Sequence, residues 1–364
     1  MTPGASAVVG RSRKISWDVV RVACVLLVVL YHASFIGPIV LYPELVTRPV
    51  TFSYQVGASL LLLVSAYFAC MSLGRGDTVR YWVSRVGRVL PAFLLAAVLA
   101  FAVLRYTAPP EWFTPQPRDL VANWLMLWHW KPQHYPYLDG SYWTVPLQLM
   151  AFTTAAVLWC TRWGHGTRLR VLLWAVALIP LAQWPLRILG PPETYRMVVD
   201  GLGFQRLHLF VAGVAIWLWS TRRMRNGHAT ALIASCMLAH ALHNHVLTDS
   251  GLVADWGSTI GVWIGIGVVA LAAGGPDWDR LIPTSWFPAV RWLAGISYGM
   301  FLIHQTVGFV LMRRLQDLGV GPTLQTAAML VTAVLLGWAL SRIVERPAHR
   351  ALLRWHDALR PHST

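Results

Sequence analysis

Charge is what this chain has least of. Asp, Glu, Lys and Arg make up 12% of its 364 residues, where soluble domains carry roughly a quarter. Acids are the scarcer sign, 15 against 30 basic residues, which leaves a net charge of +15. With 56% hydrophobic residues and a mean hydropathy of +0.52, the two soluble domains that the length would allow are excluded. A nucleic-acid binder would need a soluble basic domain, and none is left once the apolar windows are removed. Cysteine is scarce too. Cys24, Cys70, Cys160 and Cys236 lie in or beside apolar runs with no CxxC spacing, so they read as small buried hydrophobes. There is no low-complexity tract and no internal repeat, and a transporter would be expected to show two related halves.

Apolar length and tryptophan are what is abundant. Twenty tryptophans suit a protein with two membrane–water interfaces, where the indole buries its ring and keeps its N–H wet. Ten apolar windows stand out, at 17–37, 52–73, 89–107, 142–160, 170–189, 204–220, 229–247, 256–274, 290–312 and 323–343. Only the short break TDSGLVAD separates the seventh from the eighth. The chain therefore reads as an all-α, polytopic membrane protein of about ten transmembrane helices in a single domain. Residues 1–15 form a basic arm, 108–141 a long outer loop and 344–364 a tail. The arm's apolar continuation is longer than the core of a signal peptide and has no cleavage site behind it, so the arm is expected to be retained.

Basic residues set the orientation. Twenty of the thirty fall in alternate segments. These begin with Arg11, Arg13 and Lys14, continue with Arg75, Arg80, Arg85 and Arg88, and end in the tail at Arg360. Nine of the acids fall in the intervening segments. Both termini are expected on the cytoplasmic side of the cell membrane.

The first span, WDVVRVACVLLVVLYHASFIG, carries Asp18, Arg21 and His32. Charged groups at membrane depth are costly and default to function. Arg21 and His32 are eleven residues apart, about three turns plus 20° and ~16 Å of rise, so they share one stripe. Asp18 and Arg21 are three apart and can pair at the helix entrance. The plainer alternative is an interfacial Asp–Arg pair and one histidine satisfied inside the bundle. In RYWVSRVGRVLPAF, Arg85 and Arg88 are one turn apart. They can grip a phosphate or pyrophosphate, or they are ordinary inner-face charge. The outer loop is dense in aromatics, amides and histidines, which suits docking of a sugar or polyketide, though a segment lying on the membrane interface is the favoured reading. In HALHNH, His240 and His243 have the spacing of a metal pair, but no acid or cysteine is near in sequence. A polar interfacial helix end is the simpler reading, and no metal is expected.

Together these residues resemble acyltransferase family 3, the membrane O-acyltransferases that decorate surface glycans and some antibiotics. Arg21 with His32 matches the family's first span, and VGASLLLLVSAYF its second. Arg85-x-x-Arg88 before Pro91 matches its basic loop, YWTVPLQL (142–149) its Trp–Thr–Leu segment, GISYGMFLIHQ (295–305) its Ser–Tyr…Ile–His signature, and VERP (344–347) its stop after the last span. The resemblance covers roughly residues 14–350. Two positions depart from it. Gln148 stands where a glutamate is common, and Ala66 where a glycine is. No hydrolase-like outer domain is appended, so the membrane domain itself is expected to handle the acceptor.

The resemblance implies transfer of an acyl group, acetyl being the expected one, from cytoplasmic acyl-CoA to a hydroxyl of a cell-envelope glycan or of a secreted glycosylated or polyketide product. Acyl-CoA is then a cosubstrate, with no tightly bound cofactor. A basic inner face would concentrate the polyanionic donor, with Arg85, Arg88 and Arg21 along its path. His32 is the expected general base, since neutral imidazole can take the hydroxyl proton; an acyl-imidazole is the competing version. Asp18, Ser65, Trp143, Gln148 and Tyr298 are supporting or oxyanion candidates by residue type. His304 is either a second acid–base group or a satisfied bundle histidine. A proton-coupled exporter and a membrane sensor are the alternatives from other classes.

Overall fold

The computed structural model of the protein describes residues 14–74, 77–188, 193–248 and 251–359. Arg11, Arg13, Arg75 and Arg360 of the orientation argument, and the acid Asp249, lie outside the described residues. The chain is 80% helical, and each of the ten apolar windows holds a helix. In order these are α1 (Ile15–Tyr31), α2 (Gly57–Leu73), α3 (Thr78–Tyr106), the short α4 (Pro117–Trp124), α5 (Thr144–Trp159) and α6 (Gly166–Ile188). Then come the short α7 (Glu193–Gly201), α8 (Leu207–Ser220), α9 (Asn226–His243), α10 (Trp256–Gly274), α11 (Phe287–Asp317), α12 (Pro322–Leu340) and α13 (Arg346–Ala358). Among the described residues, five segments are long and apolar enough to cross a membrane: Ile15–Leu41, Thr78–Tyr106, Trp256–Gly274, Thr284–Asp317 and Pro322–Ala358. The bent pair Glu193–Gly201 and Phe204–Ser220 makes a sixth if it is taken as one span. Large apolar side chains stand exposed at helical spacing along α12, at Leu324, Val331, Leu335 and Trp338. A lipid-facing stripe looks like this, because water is not the solvent there.

Packing is built on close helix approaches. A Cβ on Gly299 of α11 would stand 2.5 Å from the backbone oxygen of Gly337 on α12, so only glycine lets these two backbones meet. One core gathers α1, α2, α8 and α10 around Leu62, Leu63, Leu209 and Ile216. A second gathers α3, α5 and α11 around Phe93, Tyr142 and Leu302. Segments assigned by charge to one side of the membrane contact one another. Lys14 Nζ donates to the Gly275 carbonyl at 2.9 Å, Arg80 pairs with Asp357 at 3.2 Å, and Arg170 donates to the Arg223 carbonyl. At the opposite end Arg313 pairs with Glu111 and Gln316 donates to the Glu44 carbonyl.

Four local expectations change. The break after α9 is a two-stranded antiparallel hairpin, β1 (His245–Thr248) with β2 (Gly251–Ala254), the one exception to the all-α reading among the described residues. The segment 344–364, set down only as a tail, carries α13, which is amphipathic and packs on α3 with Leu352 over Gly87. Cys160 is exposed at the end of α5, unlike the other three buried cysteines. The outer loop is folded on the bundle rather than spread beside it. Trp128 is fully buried, and Asn123 ties the loop together by donating to the Asp119 and Pro136 carbonyls while accepting from the Leu138 N–H. Sequence could not show this, because aromatic rings that plug a bundle and rings that lie on lipid have the same composition.

Candidate active site

The first helix stops being α-helical at His32. From His32 to Leu41 the chain winds as a π-helix with Pro38 inside it. Proline lacks the N–H that an α-turn would use, and wide π-turns of this kind recur at functional sites. The Ser34 hydroxyl bonds back to Leu30 and accepts the Phe52 N–H, which pins the wide turn to the following strand of chain. Nδ1 of His32 lies 2.8 Å from the Val28 carbonyl and 3.1 Å from Nε2 of His304. Nδ1 of His304 lies 2.9 Å from the Phe301 carbonyl. A carbonyl oxygen only accepts, so Nδ1 of each ring carries the hydrogen. His32 therefore donates toward the lone pair on His304 Nε2, and its own Nε2 is left as a base.

His304 is held from outside its helix. Asp139, from the end of the outer loop, is buried and accepts the Ser141 N–H and the Thr306 N–H, both at 2.9 Å. Thr306 Oγ1 donates to the Leu138 carbonyl, and a Cβ on Gly140 would collide with the Gln305 side chain. Burial raises the Asp139 carboxyl above its ordinary value, and the bonds from Ser141 and Thr306 act in the opposite direction. Sequence reasoning missed Asp139. Its one signal was an acid directly before the Gly–Ser of a tight turn, a pattern that turns use everywhere.

Phe301, whose carbonyl holds His304, also lines a cavity of about 110 Å³, and neither histidine is among the described residues that line it. Arg21, Ser65, Arg85, Arg88, Gln148 and Tyr298 line the same cavity, residues that the chain scatters over α1, α2, α3, α5 and α11. The arginines are positioned by other groups. Arg21 lies 4.4 Å over the Phe68 ring. Arg85 donates to the Phe68 carbonyl at 2.8 Å and to the Ser72 hydroxyl at 2.7 Å. Arg88 pairs through Nε with Oε1 of the buried Glu345 at 2.6 Å. The VERP motif thus does more than end a span, since its glutamate orients the arginine at the cavity.

Not every expected residue converges here. Asp18 is buried at the head of α1, away from the cavity lining. Tyr298 lines the cavity, but its hydroxyl donates to the Val89 carbonyl at 3.1 Å. Trp143 faces a different cavity, under the Arg206 guanidinium at 4.1 Å. Its neighbour Thr144 does line the first cavity, and its buried hydroxyl has no hydrogen-bond partner among the described residues. Thr144 was legible only as part of the YWTVPLQL match, because a threonine opening a helix is ordinarily a cap. His240 is a buried group rather than an interfacial one, with Nδ1 3.0 Å from Nε2 of His208. Among the described residues no three His, Cys, Asp or Glu side chains gather as a metal site.

A family model described as an acyltransferase domain matches residues 14–342, which includes every residue of the cavity and both histidines. No curated protein and no solved structure matches the chain.

Proposed function

Because the chain belongs to the acyltransferase-domain family, acyltransferase family 3, and is a membrane transferase, we propose that it moves an acyl group, acetyl in the simplest case, from cytoplasmic acyl-CoA to an acceptor hydroxyl. The acceptor is a cell-envelope glycan or a secreted glycosylated or polyketide product. The observation that carries this reading is the buried His32–His304 pair, one contact away, through Phe301, from a cavity lined by three arginines. We take the ten helices as ten crossings with both termini in the cytoplasm, which puts Arg85 and Arg88 at the inner side. The grouping of segment contacts described above supports that topology.

In this mechanism the arginines meet the phosphates of the donor at the cavity mouth, where charge-assisted forks bind phosphate best. The cavity, at about 110 Å³, suits the thioester end of the pantetheine arm and not the nucleotide. His32 Nε2 takes the proton from the acceptor hydroxyl as its oxygen bonds to the thioester carbon. The Nδ1–H keeps two acceptors facing it, the Val28 carbonyl and His304, which stabilise the imidazolium that forms. Thr144 and Gln148 present side-chain donors to the developing oxyanion. When the C–S bond breaks, the proton passes from His32 to the leaving CoA thiolate, and the ester and free CoA are the products.

The test compares envelope glycans and secreted metabolites by mass spectrometry from cells with and without the gene. A product lighter by one acyl unit in the deletion supports the reading and names both groups. Identical spectra across both fractions refute it.

A further inference from the structure

A second cavity lies on the other side of α5. It measures about 380 Å³, within the range of small-molecule sites and larger than the arginine-rimmed one. Its walls come from the outer loop (Trp130), the turn before α5 (Trp143), α7 (Glu193 and Asp200) and the turn before α8 (Gln205 and Arg206). The walls are locked together. His129 Nε2 lies 2.8 Å from the Gly201 carbonyl, closing the outer loop onto the end of α7, and Gly201 packs against the Trp130 ring with no room for a Cβ.

The lining has a definite chemistry. Glu193 and Asp200 are acceptors when ionised, and with Arg206 the one fixed cation among the described lining residues they would repel a polyphosphate. Oε1 of Gln205 is buried and has no hydrogen-bond partner among the described residues. An orphaned buried acceptor is costly, so it calls for a donor from a ligand. Two indole rings supply flat apolar faces beside these acceptors. Such a lining suits an uncharged ring that carries several hydroxyls.

The placement relates this cavity to the first. Trp143 and Leu147 line the outer cavity, while Thr144 and Gln148 line the arginine-rimmed one. One helix thickness, the first turns of α5, separates them. We propose that the outer cavity is the acceptor site and that it takes a neutral glycosyl ring from the extracytoplasmic side. This rests on the acyl-transfer reading given above. Donor and acceptor would then approach from opposite faces, with Thr144 on the wall between them.

The experiment uses the full chain in proteoliposomes, radiolabelled acetyl-CoA, and methyl β-glucoside, methyl α-mannoside and methyl α-rhamnoside as acceptor probes. Gln205→Leu and Trp130→Ala are compared with the unaltered chain, with thermal stability recorded for each. Label is expected on at least one glycoside, with its KM raised by about tenfold in each variant, the loss of one good contact, and the KM for acetyl-CoA unchanged. An unchanged glycoside KM in both variants, or a parallel shift in the acetyl-CoA KM, overturns the proposal. So does binding and slow hydrolysis of acetyl-CoA with no glycoside labelled, an outcome that leaves the transferase reading intact. If acetyl-CoA is neither bound nor turned over, that reading fails and this one falls with it.

Discussion

Nε2 of His304 stands 3.1 Å from Nδ1 of His32, although 272 residues of chain separate them. The contact gives the two histidines unequal roles. His32 keeps a ring nitrogen for chemistry, and His304, its own Nδ1 committed to the Phe301 carbonyl, steadies its partner.

His32→Ala is expected to lower acyl transfer from acyl-CoA by at least about 10²-fold, the usual contribution of a positioned base. His304→Ala should lower kcat less, with the KM for acyl-CoA unchanged. Kinetics on purified protein, with abundance and thermal stability alongside, decide the point. Full activity in His32→Ala removes it from the mechanism.

Thr144→Val keeps the shape and removes the hydroxyl. Loss of one oxyanion donor typically costs about 10²–10³-fold in kcat, so a fall of that order with little change in KM is expected. Thr144→Ser should retain most of the activity. Equal activity in the serine and valine variants would assign the side chain to packing.

Arg85→Ala should raise the KM for acyl-CoA by about tenfold or more, since a charge-assisted contact is worth ~1.5–3 kcal/mol. Arg88 needs a paired change. Arg88→Ala alone strands the buried Glu345 carboxylate, and an unpaired buried charge lowers stability. Arg88→Ala with Glu345→Gln avoids the stranded charge and should recover thermal stability while the KM stays high. A KM that recovers along with stability would leave Arg88 a structural partner of Glu345 only.

Asp277 gives a pH dependence outside the spans. Its carboxylate accepts the N–H groups of Ile15, Ser16 and Trp278. Partial burial pushes its carboxyl up, but the three N–H bonds outweigh it and hold the group below the usual carboxylate range. A depressed acid stabilises the fold above its unfolded-state value, and that stability is lost as pH falls through the depressed folded-state value. Asp277→Asn should therefore lower the melting temperature near neutrality, with a cost of about 1 kcal/mol as for a helix cap. The difference from the unaltered chain should vanish in strong acid. A difference that is the same at both pH values would contradict this account.

Single cysteines at Ser12 and Ala358 should react with a thiol reagent only from the cytoplasmic side, and one at Gln133 only from outside. Any inversion breaks the argument that the donor enters at Arg85 and Arg88.

By itself the amino-acid order determined the membrane class and the helical windows. Each of these depends on spacing along one segment, and hydropathy and helical period act locally. It also marked Arg85, Arg88, Gln148 and Tyr298 as groups that ought to meet, through their match to a family. Tertiary structure alone decided what faces what. Trp143 and Thr144 are neighbours in sequence and enter different cavities, because consecutive helical residues point about 100° apart and α5 is walled on two sides. Asp139 reaches Thr306 only because the outer loop folds back on α11. The meeting of His32 with His304 depends on how α1 and α11 cross, and a crossing is set by which side chains interlock, a property of two surfaces that no single stretch of chain contains.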